Sequence, residues 1–255
     1  ESHRDADYFG LLGMSYAGTK RLPEAIAALS QGIALRPERT DLIFRLGTIY
    51  QGAGNNEEAI RLFLRAIAKG DDSAELQFAL ALSYFNFGNF QDAVNSCRRA
   101  IQSDPKLDQA YLLIGRSYAR MAQPVEATSA LRKALSVNPG CQQCYRQLAQ
   151  LLEDSGGATE PTQLLREAIR LNSRDAAAHY QLGKLLARQN HDGEAVAEFQ
   201  KTIALEPDHD LAFYQLGRIY MALGDRSKAE TCFKASRDLK EKRRAASEER
   251  LKNAK

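Results

Sequence analysis

The sequence predicts an all-α protein, a right-handed α-solenoid of seven helix-turn-helix hairpins. A period of 34 residues recurs seven times, and apolar residues follow helical spacing inside each period. No segment alternates apolar and polar residues in the way that a strand does. A fixed period of this length is typical of repeat architectures, in which each unit buries its apolar face against its neighbours.

The period is clearest in segments that begin at Leu12, Leu46 and Leu80, which read LGMSYAGTKRLPEAI, LGTIYQGAGNNEEAI and LALSYFNFGNFQDAV. Four further copies begin at Ile114, Leu148, Leu182 and Leu216. We therefore predict hairpins at 6–39, 40–73, 74–107, 108–141, 142–175, 176–209 and 210–243. A charged helical extension is expected at 244–255.

Small residues recur at two positions of the period. One column holds Gly13, Gly47, Ala81, Gly115, Ala149, Gly183 and Gly217, and a second holds Ala25, Ala59, Ala93, Ala127, Pro161, Ala195 and Ala229. Only Gly or Ala lets two helix backbones approach to the short end of the usual range of about 8–10 Å. A column of larger residues, among them Leu29, Phe63, Leu131, Phe199 and Phe233, is expected to fill the space beside the crossing.

Each repeat contains two helical stretches separated by a turn. In the second repeat, Leu46, Ile49 and Tyr50 follow i, i+3, i+4 spacing, and Gly52 and Gly54 then interrupt the pattern. A second apolar series follows at the same spacing: Ala59, Ile60, Phe63, Ala66 and Ile67. Proline or another turn residue closes most repeats, as at Pro37, Pro105 and Pro207.

This pattern resembles the tetratricopeptide repeat family, whose period is about 34 residues with a bulky-x2-Leu-Gly-x2-Tyr, Ala-x3-Phe, Pro pattern. The matching residues of the second repeat are Ile43, Leu46, Gly47, Tyr50, Ala59 and Phe63, and those of the fourth are Tyr111, Ile114, Gly115, Tyr118, Ala127, Leu131 and Pro139. The resemblance extends from Ala6 to about Arg243. Repeat five departs from it with Pro161, after Gly156 and Gly157. A late-starting helix at a looser joint and a shortened but well-packed helix are both consistent with that proline.

No catalytic motif is present: the sequence lacks a phosphate-binding loop, GxGxxG, GxSxG and HExxH. His179 replaces a bulky residue ahead of Leu182, so we expect it to pack between helices. Cys141 and Cys144 form a CxxC, which we interpret as two separate cysteines at a helix start. A disulfide and half of a zinc site are the alternatives. We therefore predict no enzymatic activity, no metal and no cofactor.

Charge bounds the class of partner. Residues 234–255 hold nine Lys or Arg and four Asp or Glu, an excess of +5. Since the whole chain is +3, the remainder carries 3 − 5 = −2. A slightly acidic body lacks the basic stripe of a nucleic-acid-binding fold, so nucleic acid is not the expected partner.

No apolar run reaches transmembrane length. The chain starts at Glu1, as a mature protein after signal removal or a segment of a longer one would, and the compartment stays open between cytoplasm and export.

The resemblance implies that the first helices of successive repeats line a concave groove, with their second, fifth, sixth, ninth, twelfth and thirteenth positions inward. In repeats two and three these positions hold Phe44, Phe78, Leu82 and Phe85. Exposed rings there would form an apolar anchor site. The alternative is that the rings pack against neighbouring helices.

In repeats four to seven the inward positions are largely polar: Arg116, Arg120, Arg146, Gln147, Tyr180, Gln181, Lys184, Arg188, Tyr214, Gln215 and Arg218. Arginine forks match carboxylates, and amides can bond to peptide backbone. We therefore predict a scaffold that binds a peptide or protein partner, with an acidic segment as the favoured ligand. The alternatives are a solvated basic face and a regulatory or substrate-presenting arm of a larger enzyme or assembly.

Overall fold

The computed structural model describes residues 2–154, 156 and 159–253. These residues form fourteen helices and no strand. The helices are α1 Ser2–Gly18, α2 Leu22–Leu35, α3 Thr40–Gly52, α4 Asn56–Ala68, α5 Ala74–Phe87, α6 Phe90–Ser103, α7 Asp108–Arg120, α8 Pro124–Val137, α9 Gln142–Asp154, α10 Thr159–Leu171, α11 Ala176–Arg188, α12 Asp192–Leu205, α13 Asp210–Ala222 and α14 Arg226–Asn253. Each odd-numbered helix packs on the next as a hairpin, which confirms the predicted all-α class of seven hairpins.

The turn inside each hairpin has one residue with left-handed backbone geometry, at the same position of all seven repeats. Four repeats place glycine there: Gly54, Gly88, Gly156 and Gly224. The other three place Lys20, Ala122 and Asn190, with φ of 60°, 56° and 61°. Glycine adopts this geometry without a steric penalty, which explains why most turns use it.

The chain divides into two compact units. The first, here called the N-terminal stack, spans Glu1–Pro139 and contains the hairpins of α1–α8. The second, the C-terminal stack, spans Gly140–Lys255 and contains those of α9–α14. Each has its own apolar core, centred on residues such as Phe63 in the first and Phe199 in the second, both fully buried.

Helices cross closely inside the hairpins at the predicted glycines. A Cβ added at Gly47 would lie 2.5 Å from Phe63 Cε1, and one at Gly115 would lie 2.7 Å from Leu131 Cγ. Gly183 and Phe199 show the same arrangement in the C-terminal stack. The predicted close approach is therefore confirmed, and the larger residue of each pair fills the space that the glycine leaves.

Pro161 does not disturb its hairpin. Helix α10 begins at Thr159, which places Pro161 in the first turn, where the missing N–H has no helical acceptor to lose. Pro161, Leu165 and Ala168 are all buried. The second helix is thus of ordinary length and packed against its neighbours, whereas the turn before it, where a looser joint was one expectation, lies partly outside the described residues, at 155, 157 and 158. Gly157, part of the same expectation, lies outside the described residues.

The last helix of the C-terminal stack is also the longest. Helix α14 has 28 residues and continues the seventh hairpin directly into the predicted extension, whose final Ala254 and Lys255 lie outside the described residues. Side chains at 240–249 are exposed. Arg243 Nη2 lies 2.8 Å from Asp210 Oδ1, which fixes the middle of α14 to the start of α13. Within the described residues, no helix is both long and apolar enough to cross a membrane.

Candidate functional site

The first helices of neighbouring hairpins contact one another inside each stack. In the N-terminal stack, Gln51 Nε2 on α3 donates to Ser83 Oγ on α5 at 2.7 Å. In the C-terminal stack, Arg188 Nη1 on α11 donates to Glu153 Oε1 on α9 at 2.6 Å. In each stack a residue at a predicted inward position therefore contacts the adjacent first helix.

The phenylalanines predicted for the groove of the N-terminal stack are packing residues. Phe85 is only 8% exposed and stacks edge-on against Phe90, with ring centroids 5.5 Å apart. The ring centroids of Phe44 and Phe63 are 5.7 Å apart. Phe78 and Leu82 are half-buried and pack against the same apolar core as Phe85. The expected exposed apolar anchor is thus wrong for Phe85, because its ring fills a gap between helices.

Two of the predicted groove arginines lie over these rings. The guanidinium carbon of Arg116 is 4.6 Å from the Phe85 ring centroid, and that of Arg120 is 4.9 Å from the Phe90 ring centroid. Burial, with a smaller contribution from Arg120, lowers the pKa of Arg116. The face of an aromatic ring attracts a cation. These arginines therefore have a packing role that the sequence did not suggest.

The predicted basic row of repeats four to seven is divided between the two stacks. Arg116 and Arg120 belong to the N-terminal stack, whereas Arg146, Lys184, Arg188 and Arg218 belong to the C-terminal stack. That all six cations form one row stays a prediction, and the contacts of each set are described within its own stack.

The first two hairpins carry a cleft that sequence reasoning missed. It measures about 330 Å³, and its lining includes Leu11, Met14, Asp7, Arg39 and Asp41. Arg39 contacts Asp7 at 2.6 Å and Asp41 at 2.7 Å, and its hydrogen bond lowers the pKa of Asp41. The opposite charges compensate one another, so this cleft offers little net attraction to a charged ligand.

In the C-terminal stack, two predicted cations already have carboxylate partners. Arg188 pairs with Glu153, which is only 5% exposed. Arg146 Nη1 lies 3.5 Å from Asp175 Oδ1. These arginines are held in place by their own stack, and much of their charge is neutralised.

Lys184 and Arg218 differ from Arg146 and Arg188 in their charged neighbours. No described carboxylate lies within ion-pair distance of either side chain, and both line a cleft of about 390 Å³ together with Arg188 and Gln215. Arg218 Nη1 donates to Gln215 Oε1 at 3.4 Å, a long bond to a neutral acceptor. This cleft lies between α11 and α13, and its lining carries three cations, Lys184, Arg188 and Arg218, and one carboxylate, Asp192.

The predicted amides and tyrosines also lie along these first helices. Gln181 Nε2 is 3.5 Å from Gln150 Oε1 on α9. Gln147, one turn before Gln150 on the same helix, is half-buried. Tyr180 is hydrogen-bonded to Gln215, and burial raises the pKa of its hydroxyl. Tyr214 is 43% exposed, with Lys240 Nζ 5.7 Å from its ring centroid. Polar groups therefore continue from the cleft along the faces of α9 and α11.

The histidines have structural environments. His179 is buried, as predicted, with its Nδ1 2.6 Å from Glu198 Oε2 and its Nε2 3.1 Å from the Ser173 carbonyl. His209 Nδ1 accepts the Ala212 N–H at 3.1 Å and caps α13, a role that its position just before a helix could have suggested. In the described part of the chain, no three His, Cys, Asp or Glu residues are grouped as metal ligands.

Cys141 and Cys144 are joined by a disulfide. The interpretation of these residues as two separate cysteines is therefore wrong. Spacing alone could not decide this, because CxxC is compatible with a disulfide, a metal site or two free thiols. The other two cysteines are free, Cys97 in the core and Cys232 half-buried.

Sequence profiles of the tetratricopeptide repeat family match residues 44–108, 108–141, 162–210 and 211–243. The chain belongs to this family. A tetratricopeptide repeat protein from Parabacteroides merdae is similar, with 18% identity, a TM-score of 0.72 and coverage of 92% of this chain and 93% of that one. PilF from Pseudomonas aeruginosa shows 16% identity, a TM-score of 0.68 and coverage of 81% and 94%.

The third comparison is YrrB, described as a tetratricopeptide repeat protein with an unusual peptide-binding site. It is 18% identical, with a TM-score of 0.58 and coverage of 74% of this chain and 97% of that one. At these identities the three likenesses concern the fold alone. No curated protein matches the sequence.

Proposed function

We propose that this protein is a non-catalytic scaffold that binds an extended peptide or protein segment on the first helices of its C-terminal stack. Stacked helical repeats make long, shallow concave surfaces that suit an extended chain. YrrB, a protein with the same fold, is described as binding peptide, and that description agrees with the proposal. The ligand we propose carries an acidic group.

The observation that carries this proposal is the cleft that contains Lys184 and Arg218. Arg146 and Arg188 have carboxylate partners inside the stack, whereas these two cations have none among the described residues. Arg188 borders the same cleft and is paired on one side only, so its remaining N–H groups can also reach a ligand. A ligand carboxylate would supply the missing partner, and an arginine can bind it through two N–H groups.

The neighbouring side chains suit the backbone of such a ligand. Gln215 and Gln181 each provide an amide that both donates and accepts hydrogen bonds. Tyr214 adds a partly exposed ring against which a ligand side chain can pack. The proposed contacts are therefore a charged centre at Lys184 and Arg218 with amide and aromatic contacts along α11 and α13.

Selection of displayed random peptides on the intact protein tests this function. We expect the selected peptides to be rich in Asp and Glu, and added salt to weaken their binding, because screening acts beyond about 10 Å at 0.1 M. Each exposed ion pair contributes about 0.2–1 kcal/mol, so the Lys184→Ala/Arg218→Ala variant should bind roughly threefold to tenfold more weakly.

The matched control is Lys201→Ala/Lys234→Ala, which removes two exposed cations from the second helices α12 and α14 of the same stack. It has the same net charge as the test variant. Equal loss of binding in the two variants would indicate attraction by overall charge and contradict the cleft. Selection of uncharged peptides that ignore both variants would contradict an acidic ligand.

A further inference from the structure

The disulfide between Cys141 and Cys144 lies at the start of helix α9. Cys141 directly precedes the first helical residue, Gln142, and its Sγ accepts the Cys144 N–H at 3.3 Å. The two sulfur-bearing residues differ in access, since Cys141 is partly exposed and Cys144 is completely buried. Of the two residues, Cys141 is therefore the one on the side of the solvent.

Cys141 occupies a position before the first helix that three other repeats fill with a capping hydrogen-bond acceptor and two fill with Arg39 and Leu107, which make no cap bond. Ser73 and Asp175 stand at the equivalent place, and Asp175 Oδ1 accepts the Ala178 N–H at 3.1 Å. The next repeat thus holds a negative charge where Cys141 places its sulfur. The free N–H groups and the dipole of a helix start stabilise an anion at this point, including a thiolate.

We propose that Cys141–Cys144 is a thiol–disulfide exchange site that reacts with external thiols through the sulfur of Cys141. An incoming thiolate attacks Cys141 Sγ and forms a mixed disulfide. The Cys141–Cys144 bond breaks, and its electron pair leaves on Cys144 Sγ, which takes up a proton. A second external thiolate then attacks the external sulfur of the mixed disulfide and releases Cys141 as a thiolate, so two external thiols become one disulfide.

The reverse reaction follows from the same geometry. The Cys141 thiolate attacks a disulfide brought by the reactant, forms the mixed disulfide and expels the first thiolate, which takes up a proton. Cys144 then loses its proton to water, attacks Cys141 Sγ and expels the second thiolate. Because the two cysteines are three residues apart at one helix start, the second step is intramolecular and needs no movement of either stack.

Single-cysteine variants test which sulfur reacts, and the repeat itself indicates substitutions that fold. Alanine stands at the position of Cys144 in three other repeats, at Ala110, Ala178 and Ala212. Serine stands at the position of Cys141 in repeat three, at Ser73. Cys144→Ala and Cys141→Ser therefore both place a residue that this fold already accepts.

Each variant is incubated with oxidised glutathione under native conditions, and the modified cysteine is located by peptide mass mapping. We expect Cys144→Ala to gain one glutathione on Cys141. We expect Cys141→Ser to react on Cys144 roughly tenfold more slowly or worse, because a buried thiol reacts only after local opening. Equal rates in the two variants would overturn the proposal.

Wild-type protein tests the bond itself against two sources of thiol, reduced glutathione and reduced thioredoxin. The internal control is Cys97, whose pKa burial raises to about 12 and which should stay unalkylated while the protein is folded. Reduction by either reagent with Cys97 still protected supports the site, and the faster reagent identifies a small thiol or a protein dithiol as the reactant. Reduction only in urea, together with labelling of Cys97, would overturn it.

Discussion

Two repeats, one in each stack, fill an equivalent buried position in opposite ways. Phe85 on α5 and Glu153 on α9 occupy the twelfth position of their first helices, and both are buried, with exposures of 8% and 5%. In the N-terminal stack Arg116 lies over the phenyl ring, and in the C-terminal stack Arg188 pairs with the carboxylate at 2.6 Å. An arginine from a neighbouring first helix thus covers an apolar group in one case and an acidic group in the other.

This difference shows that the repeat fixes the position of a buried side chain and leaves its chemistry free. In the N-terminal stack, the apolar Phe85 ring packs between Phe90 and Arg116. In the C-terminal stack, the Glu153 carboxylate pairs with Arg188, which also lines the cleft of Lys184 and Arg218. The proposed binding site therefore lies in the C-terminal stack.

The largest expected effect comes from removing the buried phenyl ring of Phe85. Phe85→Ala should lower the free energy of unfolding of the N-terminal stack by about 3–5 kcal/mol, because a buried aromatic ring is replaced by a cavity. Urea unfolding followed by circular dichroism measures the change. Phe87→Ala is the matched control on the same helix, since Phe87 is 53% exposed, and it should change stability by less than about 0.5 kcal/mol. Similar losses in both variants would show that Phe85 is not a core residue.

The glycine crossings test a feature that the stacks share. Gly115→Leu and Gly183→Leu should each destabilise their stack by about 1–3 kcal/mol or more, because the added side chain must displace Leu131 or Phe199. Thermal unfolding gives the comparison. Gly52→Leu is the control, since no atom outside the local backbone of its own helix lies within 4 Å of its added Cβ. A wild-type melting temperature for Gly115→Leu or Gly183→Leu would contradict the close helix crossing in that stack.

The smallest expected effect comes from removing Arg188, the partner of the buried Glu153 carboxylate. Arg188→Ala leaves the Glu153 carboxylate buried without its partner and should cost about 1–2 kcal/mol, a moderate value because the Arg188 side chain is 61% exposed. Adding Glu153→Leu should restore most of that stability, since an apolar side chain needs no partner. Chemical denaturation of the single and double variants measures both steps. If the double variant is less stable than Arg188→Ala, the C-terminal stack requires a polar group at this position.

Much of the fold follows from residue sizes at fixed spacing. Gly47 and Phe63 belong to one hairpin, and their complementarity can be recognised because it recurs every 34 residues. The left-handed turn position was harder to predict, because Lys20, Ala122 and Asn190 occupy it in three repeats. The site was only partly predictable: its residues were identified by register, and their partners were not.

The sequence by itself determined the helical hairpins, their number and the places where helices cross, since these depend on local periodicity and on the size of one residue per column. Tertiary structure decided which charges remain available to a ligand. Arg188 and Glu153 are 35 residues apart and meet only because two first helices lie side by side, whereas Lys184 has no described carboxylate within reach. Coulomb energy depends on the distance between side chains in space. Packing of neighbouring hairpins sets that distance, and the spacing of residues along the chain does not reveal it.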